Sequence, residues 1–93
     1  MEYLFIATKD DIQRIKEYIE NLKYKSNTEL VAAYNREAKI GIVGVRQQIR
    51  YLLALRYEFM KRFGESPVYV VNNRFVEMTG IIELVNNQIR IKQ

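Results

Sequence analysis

The 93-residue chain contains no cysteine and no histidine, one proline and four glycines. Without cysteine no disulfide can brace the fold, nothing calls for an oxidising compartment, and a reducing cytoplasm is the expected setting. The joint absence of histidine and cysteine removes the usual zinc ligands, the base of a serine triad, the thiolate nucleophile and the commonest general acid or base. Serine occurs only at Ser26 and Ser66, where caps and turns want a hydroxyl. The composition therefore points away from an enzyme, and neither a metal nor another cofactor is expected. Long apolar runs are also missing. Tyr3 to Ala7 is too short for a membrane span or a signal-peptide core, and Glu2 stands where a signal peptide carries bases, so no membrane partner is expected.

What is present is the composition of an ordinary globular domain, 48% apolar and 28% charged, with enough chain for one core over residues 1–93. The formal charge of +4 is unevenly placed: residues 41–64 carry five bases against Glu58 alone, while acids and bases balance elsewhere. A local basic surface is expected on that segment.

Tyr3 to Ala7 is short, aromatic and β-branched and reads as a strand. Thr8 and Asp11 then have capping-box spacing, followed by Ile12, Ile15, Ile19 and Leu22 at helical steps. Ser26 and Glu29 repeat the spacing before a second helix over about 28–39, with Leu30, Val31, Tyr34 and Ala38 inward. A third helix is expected over 45–63, its apolar stripe formed by Val45, Ile49, Leu52, Leu53, Phe59, Met60 and Phe63. Gly64 is its expected C-terminal cap, and Pro67 forbids continuation.

Beyond Pro67 the period changes to two. Val68 to Val71, Arg74 to Met78, Ile81 to Val85 and Gln88 to Lys92 read as strands, separated by Asn72-Asn73, Thr79-Gly80 and Asn86-Asn87; asparagine tolerates the positive φ of tight turns. The expected fold class is α+β, about three helices packed on one face of a small antiparallel sheet, a C-terminal meander joined by the N-terminal strand.

Candidate contact residues follow from the third helix. The 100° step aligns Arg46, Arg50, Tyr57 and Lys61 on one ridge, three cations that can meet phosphates and one ring that can stack on a base. Arg56 falls within the apolar stripe, which calls for a buried ion pair, with Glu77 or Glu83 as the carboxylate, or for a grip on an anion. Tyr51 and Leu55 lie off the expected core side and suggest a second contact surface. The adjacent Asp10 and Asp11 read as the acidic first turn of a helix.

Ile40-Gly41-Ile42-Val43-Gly44, placed between two helices, is similar to the GXXG loop of KH nucleic-acid-binding domains. That resemblance implies a loop clamping a nucleic-acid backbone. It departs from the family in holding Ile42 and Val43 where polar or basic residues are usual. As a plain helix–helix turn, the same segment would pack its apolar middle inward.

The leading functional expectation is a non-enzymatic module that self-associates as a homo-oligomer or binds another protein, through the third helix and the sheet edge. The alternative is a nucleic-acid-binding domain using the basic face of the same helix.

Overall fold

A computed structural model describes residues 8–72 and 75–92. The expected strand at Tyr3 to Ala7 lies outside the described residues. The elements run α1 (Lys9–Leu22), α2 (Asn27–Ile40), α3 (Arg46–Phe63), β1 (Val68–Val71), β2 (Phe75–Met78), β3 (Ile82–Val85) and β4 (Gln88–Ile91).

Helix ends form where hydroxyls and glycine make them inexpensive. Thr8 Oγ1 accepts the Asp11 amide at 3.0 Å, and Ser26 and Glu29 complete a reciprocal capping box at 3.1 and 2.8 Å. The Ser26 backbone N–H holds the Glu29 carboxyl below its ordinary range. α3 ends at Gly64, in the left-handed region at φ 74°, with its N–H donating to the Met60 carbonyl at 3.0 Å.

α1 and α3 pack side by side and run in the same direction. The first turn of α1 meets Arg46 and Arg50, and its C-terminal carbonyls at Leu22 and Lys23 accept from Arg62 Nη2. Arg62 also donates to Asn27 Oδ1 and to Glu58 Oε2, so one guanidinium ties the α1–α2 turn to the end of α3. Glu58 is buried, and its Oε1 has no hydrogen-bond partner among the described residues.

The chain has the expected α+β class; among the described residues the strands pair as two antiparallel ladders, β1–β2 and β3–β4, and not as one continuous meander. The reason lies on α2. The Asn35 side chain takes both backbone groups of Ile82, accepting its N–H and donating to its carbonyl, each at 2.9 Å. Tyr34 Oη donates to the Gly80 carbonyl at 2.7 Å. Groups at the β2–β3 junction that a neighbouring strand would use are thus engaged by a helix. The β3–β4 hairpin turns through Asn86 and Asn87, at φ 53° and 61°, the paired positive values of a type I′ turn.

All three helices and both hairpins contribute to one core, among them Leu22, Tyr34, Leu52, Phe59, Val68, Val76, Ile82 and Ile89. Tyr34 is fully buried edge-on to Phe59, and burial pushes its hydroxyl pKa up. α3 differs from expectation. Leu55, expected away from the core, is fully buried, as is Ala54, whereas Val45 and Met60, expected inside, are exposed. α3 is packed by α1 and α2 and by the β1–β2 hairpin, so its buried arc is wider than a single stripe and is centred elsewhere.

Candidate functional site

The basic ridge on α3 divides in two. Arg46 donates from Nε and Nη2 to the two carboxylate oxygens of Asp11 at 2.8 and 2.6 Å. Arg50 donates from Nε to Asp11 Oδ1 at 2.7 Å and from Nη2 to Asp10 Oδ2 at 3.1 Å. The guanidinium of Arg46 above all, with that of Arg50, holds the Asp11 carboxyl far below the usual carboxylate range against the opposing effect of burial. Tyr57 and Lys61 remain exposed further along the helix. Arg56 is half-buried, and its Nη1 donates to the Val68 carbonyl at 3.0 Å. A strand carbonyl therefore stands where Glu77 or Glu83 was expected; among the described residues Arg56 forms no ion pair.

The segment joining α2 to α3 is apolar and open to solvent. Ile40, Val43 and Val45 are 59%, 58% and 54% exposed, while Ile42 packs against the core. The inward packing expected of this loop thus holds for Ile42 and not for Val43. Solvent-exposed aliphatic side chains cost free energy in water, and three of the six residues from 40 to 45 expose one.

Two glycines and one side chain shape this loop. Gly41 has φ 82° and ψ 178°, a conformation almost confined to glycine, and Gly44 has φ 80°. Between them the buried side chain of Gln48 closes the loop from below. Its Oε1 accepts the Val43 N–H at 3.0 Å, and its Nε2 donates to the Gly41 carbonyl at 2.8 Å. Val43 thus gives its N–H to Gln48 while its side chain stays exposed.

A cleft of about 390 Å³ adjoins the loop, lined by Tyr18, Arg36, Glu37, Val45, Gln47 and Tyr51. Tyr18 and Tyr51 meet edge-to-face with ring centroids 5.2 Å apart, and Gln47 Nε2 donates to Tyr18 Oη at 3.2 Å. Burial raises the Tyr51 hydroxyl pKa. Val45 belongs to both loop and cleft, so the two form one surface. Arg36 forms no ion pair among the described residues, and Glu37 receives only a long contact, 3.5 Å, from Gln48. Two opposite charges thus stand side by side at the mouth of the cleft.

Sequence reading singled out the Gly41–Gly44 spacing and missed Gln48, Arg36 and the outward face of the loop. The available signal was an uncharged run, Ile40 to Val45, bounded by Lys39 and Arg46. Among the described residues no group of three carboxylates could hold a metal ion, and no helix is long and apolar enough to cross a membrane. No protein-family model, no curated protein and no solved structure matches the chain.

Proposed function

We propose that this protein is a non-enzymatic interaction module that recognises a protein surface with the α2–α3 loop and its adjoining cleft. The observation that carries this reading is the bracing of three exposed aliphatic side chains by Gln48 and two positive-φ glycines. Flexible loops lose conformational freedom on binding, and a loop already fixed in shape avoids much of that cost. Apolar side chains beside tyrosine and a single arginine also match the usual make-up of an interface centre.

The geometry favours this reading over the nucleic-acid one. Phosphate binding along α3 would draw on Arg46 and Arg50, yet donors of both guanidinium groups are engaged by Asp10 and Asp11. The Val43 N–H, which a clamp of the KH type would turn to a backbone, is given to Gln48. Short RNA and DNA added at low salt should therefore leave the protein's mass unchanged. A complex that dissolves as salt rises would instead return attention to Tyr57 and Lys61.

Photocrosslinking tests the reading directly. A photoreactive side chain at Val43 should give protein adducts, and the same group at Lys16, exposed on α1, should not. Equal labelling at both positions, or none at Val43, would remove the loop as a contact surface.

A further inference from the structure

We infer that the partner seated on this surface is a second copy of the chain, related by a twofold axis. The inference rests on the interaction reading above and names its occupant. Twofold contacts use one patch against itself, so the patch must be self-complementary. Here exposed Val43 and the shallow, open cleft at Tyr18 and Tyr51 neighbour one another, and Val45 is both exposed in the loop and part of the cleft lining.

Charge points the same way. Arg36 and Glu37 are consecutive on α2 and line the same cleft. A twofold axis passing beside this pair would set Arg36 of one copy towards Glu37 of the other, and the reverse, giving two equivalent pairs from one pair of residues. A different protein would have to supply its own carboxylate and its own cation at matching places. A second copy supplies both by symmetry. Opposed like charges at such a contact disfavour wrong registers.

The test is charge reversal followed by mixing, read as mass by light scattering. Arg36→Glu alone leaves acids facing acids, and Glu37→Lys alone leaves bases facing bases. Each single variant should dimerise at least about tenfold more weakly than the wild type, a difference of about 1.4 kcal/mol. Mixed together, the two singles should form a one-to-one pair, and the double variant Arg36→Glu/Glu37→Lys should recover the wild-type dimer. Because Glu37 also touches Gln48, Val43→Asp, at an exposed position, serves as the independent variant and should weaken the dimer similarly.

A wild type that stays monomeric at every concentration would overturn the inference, as would a dimer indifferent to all these changes or singles that fail to pair on mixing. Crosslinks from Val43 to a different protein, with this chain monomeric, would overturn the second copy and leave the interaction module standing. No crosslink at all would remove both.

Discussion

Gln48 accepts the Val43 N–H at 3.0 Å and returns a hydrogen bond to the Gly41 carbonyl at 2.8 Å. One buried side chain on the first turn of α3 thereby determines how the preceding loop stands. Leucine at this position keeps the volume and removes both bonds. Gln48→Leu should cost about 1 kcal/mol per lost hydrogen bond, and amide exchange at Val43 should accelerate while that in the middle of α3 does not. Unchanged protection at Val43 would show that the loop holds its shape without Gln48.

Gly41 gives a second test of the same loop. An added Cβ would meet open space, so any penalty comes from the backbone. Gly41→Ala should destabilise by about 1–3 kcal/mol through strain alone, measured by urea unfolding. A neutral substitution would mean that the loop relaxes freely.

The pairing of Asp11 with Arg46 and Arg50 makes stability depend on acid. Its carboxyl pKa is lowered on folding, so its contribution is fully present above the ordinary aspartate value of about 3.9 and is lost as pH falls towards the folded value. The advantage of the wild type over Asp11→Asn should therefore be constant from neutral pH down to that point and shrink below it. Thermal melts across acid pH test this. A gap that stays the same at all pH values would contradict the ion-pair account.

Arg62 and Lys61 are neighbours in sequence with opposite surroundings. Arg62 neutralises buried Glu58 and binds the carbonyls that end α1, whereas Lys61 is exposed. Arg62→Met should cost about 3–5 kcal/mol, because it leaves a buried carboxylate unpaired. Lys61→Met should stay within about 0.5 kcal/mol, like most exposed substitutions. Urea midpoints of the two variants would contradict this if they moved together.

Much of the local structure was legible in the sequence because short-range chemistry decides it. Thr8 and Ser26 cap the helices as their spacing implies, Gly64 ends α3 in the left-handed region, and Asn86-Asn87 makes the tight hairpin turn. The features read wrongly or missed depend on neighbours distant in the chain. Leu55 is buried because α3 is packed on more than one side. The expected meander divides because Asn35, 47 residues before Ile82, takes that strand's backbone groups. The basic excess on α3 was legible, but not its engagement by Asp10 and Asp11, which are 35 to 40 residues earlier. The contact surface was hardest to read, because exposed and buried aliphatic residues are identical in sequence and only the fold turns Val43 outward and Ile42 inward.

The most direct measurement is sedimentation velocity on the wild type and on a triple variant, Ile40→Ser/Val43→Ser/Val45→Ser, over a range of concentrations. The account predicts that the wild type shifts from monomer to dimer as concentration rises, while the triple variant sediments as a compact monomer throughout. A triple variant that dimerises like the wild type would contradict the loop as the contact surface, and one that sediments as an expanded chain would make these side chains part of the core.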